Sequence, residues 1–181
     1  MRLTAALCLL SLTVSAQAAD IKSGLDVGAS PGAYYVQDVT GPSAGTKLCY
    51  RCQYGNQPVV NIFTRKMDAN VTKLVKEIDS VVAKNSADHK MKAFVVVLTD
   101  DPDAQADGLK KCAEENQIKH TPLTVFDNNV GPKSYRLSED ADVTVLMWVE
   151  SDVKVNHAYK LTELNSDAIQ KIVGDTAKIL N

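Results

Sequence analysis

Cysteine, aromatic residues and surplus charge are all scarce in this chain. Among 181 residues there are four cysteines, one tryptophan, three phenylalanines and six tyrosines. An aromatic content of 6%, with lysines scattered rather than clustered, offers no stacking platform for single-stranded nucleic acid. Twenty basic residues against 22 acidic ones give a net charge of −2. That balance draws neither nucleic acid nor an anionic membrane surface. After the first eighteen residues no apolar run is long enough to cross a bilayer, and 93–98 and 143–149 have only the length of strands. Repeats, low-complexity tracts, a phosphate-binding glycine loop, a Ser-His-Asp order and a paired-carboxylate pattern are all missing. What is left is one motif, Cys49-Tyr50-Arg51-Cys52.

Residues 1–18 read as a cleavable secretory signal. Arg2 supplies the positive start, Leu3 to Val14 is mostly apolar, and Ala16-Gln17-Ala18 is a small-x-small site before Ala19. Cys8 lies inside the apolar run, after Leu7, which is not the setting of a lipoprotein cysteine. The predicted organisation is a signal at 1–18 and one domain at 19–181, with no membrane association after cleavage and a periplasmic or secreted destination. The 163 residues left after cleavage suffice for one proper core. They keep Cys49, Cys52 and Cys112, which in an oxidising compartment suggests one disulfide and one spare thiol. Asn70-Val71-Thr72 matches a glycosylation sequon, relevant only in a eukaryotic secretory pathway.

Hydrophobic periodicity sets out the elements. Strands are predicted at 33–39, 58–63, 93–98, 123–126 and 143–149, and a hairpin at Ser151-Asp152 leads into 154–160. Val71, Leu74, Val75, Ile78, Val81 and Val82 mark an amphipathic helix over 69–84. Asp101-Pro102 starts a second helix carrying Leu109, Cys112 and Ala113. Asn165 or Ser166 caps a last one striped by Ile169, Ile172, Val173, Ala177 and Leu180. Residues 48–57, with the two cysteines, read as a loop ending in turn chemistry, Gln53 to Pro58. The central strand-helix-strand unit must cross over right-handed and make parallel strands, while the terminal hairpin adds antiparallel ones. The expected class is α/β, a mixed sheet flanked by helices.

Three chemistries fit a lone CxxC pair. Cys49 and Cys52 can form a dithiol–disulfide couple, with Arg51 placing a cation beside the thiolate. They can form a structural disulfide. They can also supply two ligands of a copper or zinc site, which needs one or two more from His89, His120 or His157. Gln53 after the second cysteine excludes the haem-attachment pattern. Cys112 lies on an apolar stripe and reads as an inert thiol, with a resolving role for the pair as the sharper alternative. Met147 and Trp148 read as core packing. Arg65 and Lys66 precede a helix start, where they are either solvated or placed to bind an anion.

Three stretches carry a family resemblance: Gly24-Leu25-Asp26-Val27-Gly28, Tyr35-Val36-Gln37-Asp38-Val39-Thr40-Gly41, and Tyr54-Gly55-Asn56-Gln57-Pro58-Val59-Val60-Asn61-Ile62-Phe63. Together they resemble the opening of the redoxin and peroxiredoxin-like branch of the thioredoxin-like superfamily. The likeness covers roughly residues 24–180 and extends to secreted bacterial redoxin-like proteins sharing a Cys-Tyr-Arg-Cys segment. It implies a thioredoxin-like fold with an N-terminal β extension. The chain departs from the family pattern where the chemistry would lie. The family's reactive cysteine follows the strand at 58–63, but Thr64-Arg65-Lys66-Met67-Asp68 contains none. The peroxiredoxin Pro-x-x-x-Thr-x-x-Cys pattern is absent, which argues against peroxidase activity. Ala141-Asp142 stand where a cis-proline is expected, and Pro122 is a poorer match.

These readings lead to an exported thiol-disulfide redox protein using Cys49 and Cys52, without a cofactor or metal, acting on a protein thiol or disulfide. Cys49 is the expected attacker, because in thioredoxin-like CxxC motifs the first cysteine usually attacks. The alternative is a non-catalytic scaffold or partner-binding module with a structural disulfide, and a third reading is a copper- or zinc-handling protein.

Overall fold

A computed structural model describes residues 21–180. The predicted signal and its cleavage site lie outside the described residues. In chain order the elements are β1 (Val36–Asp38), β2 (Lys47–Leu48), α1 (Tyr50–Tyr54), β3 (Val59–Thr64), α2 (Ala69–Asn85), β4 (Lys92–Leu98), α3 (Pro102–Asn116), β5 (Leu123–Phe126), β6 (Val143–Val149), β7 (Asp152–Tyr159) and α4 (Ser166–Asp175). Short 3-10 turns follow at Lys133–Tyr135 and Thr176–Ile179.

Seven strands form one sheet in the order β2-β1-β5-β4-β3-β6-β7. Parallel pairing joins β3 to β4 and β4 to β5, and all other pairs are antiparallel. This is the expected mixed α/β sheet, with β1 and β2 as its N-terminal extension. Alternation along β4 explains the continuous apolar run. Ala93, Val95 and Val97 enter the core under α2, α3 and α4, while Phe94, Val96 and Leu98 enter the core on the other face. At β7 a bulge opposite Met147/Trp148 breaks the period, so Val153 and Val155 point to opposite faces although only two residues apart.

Helix starts obey the capping rules. Asp68 accepts from Val71 N at 2.8 Å, Asp101 from Ala104 N at 3.2 Å ahead of Pro102, and Asn165 from Ala168 N at 3.0 Å. The β6–β7 turn places Glu150 and Ser151 at φ 54° and 63°, the left-handed pair that a tight hairpin requires.

Two expectations change. The strand predicted at 33–39 shortens to Val36–Asp38, because Tyr34 turns into the core and donates to Asn61 Oδ1 at 2.7 Å. The segment expected to be a loop at 48–57 contains the helical turn α1, because the Cys49 carbonyl accepts from both Cys52 N and Gln53 N at 3.0 Å.

On the helical face, Asp175 near the end of α4 accepts from Lys178 Nζ and pairs with His157 Nε2, both at 2.8 Å. Burial opposes its ionisation, but the hydrogen bonds and charges of Lys178 and His157 outweigh that and hold its pKa below the ordinary value. A carboxylate with a depressed folded pKa stabilises the fold above its unfolded pKa, about 3.9, and loses that contribution as pH falls through the folded value. Stability should therefore drop below about pH 4, and Asp175→Asn should flatten that acid limb. Urea midpoints measured from pH 3 to 6 check this; superimposable acid limbs would remove Asp175 from the account.

Candidate functional site

Cys49 and Cys52 form a disulfide, with their Cα atoms 5.2 Å apart. Cys49 is the N-cap of α1, in extended backbone, and its Sγ accepts from Cys52 N at 3.1 Å. The two cysteines differ in exposure. Leu48, Cys49 and Tyr50 are buried at 8%, 6% and 1% exposure, whereas Cys52 and Gln53 are exposed. The chain thus passes from core to solvent within the motif itself.

What fixes this turn is the aromatic layer on the face away from α2, α3 and α4. The Tyr50 ring lies 5.1 Å from Tyr54 and 5.4 Å from Phe94, and Phe94 is in turn 6.3 Å from Trp148. The Tyr50 hydroxyl donates to Asp38 Oδ2 at 2.9 Å. Asp38 is 1% exposed and also accepts from Gly41 N and Ser43 N, both at 2.8 Å. A buried carboxylate is tolerable only with such a set of donors. Burial first, then the hydrogen bond to Asp38 and its charge, hold the Tyr50 phenol well above its ordinary pKa. Burial followed by the Asp38 charge does the same to Tyr54. Both phenols remain neutral throughout the physiological range. Gly41 is required by close approach, since a Cβ there would meet the Tyr50 hydroxyl and lie 2.6 and 2.7 Å from the Asp38 carboxylate oxygens. Sequence reasoning missed Asp38 and Gly41 as supports of the cysteine pair, although both stand in the stretch that carries the family resemblance.

The Arg51 guanidinium, expected as a cation beside the thiolate, is engaged on oxygens. Its Nε donates to Pro31 O at 2.9 Å, Nη1 to Gly55 O at 3.3 Å and Nη2 to Ser151 Oγ at 2.8 Å. The guanidinium fastens α1 to the N-terminal segment and to the β6–β7 turn. Arg65 is likewise engaged on backbone oxygens. Its guanidinium donates to Ala141 O at 3.2 Å, Ser138 O at 3.1 Å and Asn129 O. Those bonds tie the segment after β3 to the loops that precede β6.

Cys112 lies in α3, half-buried against the core under the helices, with Sγ 3.7 Å from Thr72 Oγ1. The sheet separates it from Tyr50 and Leu48, which flank Cys49, so it is not placed to resolve the pair. His157 is held by Asp175, and His89 and His120 are exposed. Among the described residues no group of three or more His, Cys, Asp or Glu side chains is arranged to hold a metal. Met147 and Trp148 are fully buried packing residues, as expected. No described helix is long and apolar enough to cross a membrane.

No protein-family model matches the sequence, and no curated protein matches it. Solved structures do match. One is a candidate protein disulfide isomerase from Bacteroides thetaiotaomicron, with TM-score 0.62 and 14% identity, covering 88% of this chain and 94% of its own. Another is a candidate thiol:disulfide interchange protein DsbE from Chlorobium tepidum, with TM-score 0.59 and 15% identity, over 84% and 99%. A third is a secreted Mycobacterium tuberculosis disulfide oxidoreductase homologous to E. coli DsbE, with TM-score 0.57 and 9% identity, over 80% and 94%. The chain has a thioredoxin-like fold. At these identities the likeness is one of fold, and the cysteine pair has to be argued from its own surroundings.

Gly41→Ala should push Asp38 and Tyr50 apart at a cost of roughly 1–3 kcal/mol. The matching readout is local: near-UV circular dichroism from the tyrosines should change while far-UV signal persists. Unchanged stability would show that the Asp38 cradle is loose.

Proposed function

We propose that this chain is an exported thioredoxin-fold protein that exchanges thiols and disulfides through Cys49 and Cys52. The observation that carries the reading is a disulfide with one exposed cysteine on a turn held by the Tyr50–Asp38 hydrogen bond and by the bonds of Arg51 to Pro31 and Ser151. A partner sulfur can reach such a bond without local unfolding, and an anchored turn lets it reopen and close in one geometry. The fold of the disulfide oxidoreductases it resembles supports the same chemistry, as does the signal pattern at 1–18. Protein thiols are the proposed partners, met in the periplasm or outside the cell. With no cysteine at 64–68, peroxide reduction of the peroxiredoxin kind is not part of the proposal.

A second reading keeps the pair as a structural clasp. Burial of Cys49 at 6% exposure favours it, since a buried sulfur is shielded from reductant.

The reduction potential of the pair, read by thiol trapping against glutathione and dithiothreitol buffers, separates the two. A value between about −120 and −270 mV is expected for an exchange protein, whereas a value below about −300 mV marks a structural bond. The double variant Cys49→Ser, Cys52→Ser should lose all exchange activity; full retention would end the proposal. N-terminal sequencing of the exported protein should begin at Ala19.

A further inference from the structure

Taking the exchange reading as its basis, we infer that Cys52 is the sulfur through which partners enter, and that Cys49 is the leaving and resolving sulfur. This reverses the order expected from the first-cysteine habit of thioredoxin-like CxxC motifs.

Three independent observations converge on it. The first is access. Cys52 is exposed and Gln53 beside it is exposed, while Cys49 is 6% exposed between Leu48 and Tyr50. Displacement at a disulfide needs the attacking sulfur roughly in line with the bond being broken. Attack at Cys49 would have to reach a residue that is only 6% exposed and is flanked by the buried Leu48 and Tyr50. The second is the leaving group. Cys52 N–H is shared between the Cys49 carbonyl at 3.0 Å and Cys49 Sγ at 3.1 Å. When the bond breaks toward Cys49, that N–H already faces the new thiolate, and a hydrogen bond to the anion makes it a better leaving group. The third is anchoring. Tyr50, next to Cys49, is tied to Asp38 at 2.9 Å and packed on Phe94. Cys49 therefore stays in place while Cys52 carries the partner.

The reaction balances as follows. A partner thiolate forms a bond to Cys52 Sγ, and the electron pair of the Cys49–Cys52 bond leaves on Cys49 Sγ. The partner's second thiolate then attacks its own sulfur in the mixed disulfide and expels Cys52 as thiolate. The partner dithiol is oxidised by two electrons, the pair is reduced to a dithiol, and the two protons released by the partner's thiols end on Cys49 and Cys52. In reverse, the Cys52 thiolate attacks a partner disulfide and Cys49 resolves the adduct.

The test uses Cys49→Ser and Cys52→Ser, each in a Cys112→Ala background so that the third thiol is silent. The probe is the aromatic disulfide 5,5′-dithiobis(2-nitrobenzoic acid), added to folded protein and, as a control, in urea. Cys49→Ser, which keeps Cys52, should react at least about tenfold faster than Cys52→Ser when folded, with the rates converging in urea. Equal folded rates, or a faster Cys52→Ser, overturn the assignment. If a variant fails to fold, oxidised wild type is given limiting glutathione, quenched with acid and mapped by peptide mass spectrometry. The adduct is expected on Cys52; an adduct on Cys49 overturns the assignment. The two failures are distinguishable. A potential in the range of a structural bond with the adduct on Cys52 removes the exchange function and keeps the polarity. An exchange-active potential with the adduct on Cys49 does the opposite.

Discussion

The sheet is dry on both faces, yet only one face has long helices to cover it. That constraint shapes everything else in the molecule. Under α2, α3 and α4 the core is aliphatic, built from valine, isoleucine and leucine. The other face is covered by a meandering N-terminal segment, by the single turn of α1 and by a 3-10 turn. Short segments cannot bury much area with small side chains, so the aromatic residues gather here. All three phenylalanines, the tryptophan and four of the six tyrosines pack in this layer. Aromatic side chains bury a large area per residue, and the tyrosine hydroxyls reach polar partners the sheet supplies. The CxxC segment is part of that cover, and its rigidity is a by-product of closing the core.

This explains which features were legible in the sequence. Strands β3, β4 and β6 and helix α2 announce themselves because long periodic segments are specified locally. Asp68, Asp101 and Asn165 mark helix starts for the same reason. The turn α1 was not legible. Five residues of helix carry no usable period, and Gln53 to Pro58 has the composition of a turn. What holds Tyr50 in place is Asp38, twelve positions away and approached through the fold. The two arginines were misleading for a related reason. Arg51 and Arg65 read as free charges, but each guanidinium is spent on oxygens, mostly backbone carbonyls and mostly from distant segments. Sequence shows that a donor exists and says nothing of which acceptor it meets.

Arg65 also bears on why the pair stands apart from the family's position. By bonding to Ala141 and Ser138 it ties the segment after β3 to the segment before β6. In the pattern that the sequence resembles, the reactive cysteine follows the strand corresponding to β3. Here that segment is joined to the one before β6 by side-chain hydrogen bonds to carbonyls, and the cysteine pair lies elsewhere on the scaffold.

A cysteine pair at α1 brings its own logic. In the family pattern a cysteine opens a long helix, whose dipole and first N–H groups favour the thiolate. One turn of helix supplies little dipole, so stabilisation of a thiolate at α1 rests on the single N–H from Cys52 to Cys49 Sγ. That donor serves the sulfur of the buried cysteine and not that of the exposed one. The exposed cysteine therefore gains reach without electrostatic activation, while the buried one gains activation without reach. A disulfide divided in this way works best when attacked at Cys52 and broken toward Cys49, since each sulfur then performs the step its surroundings favour.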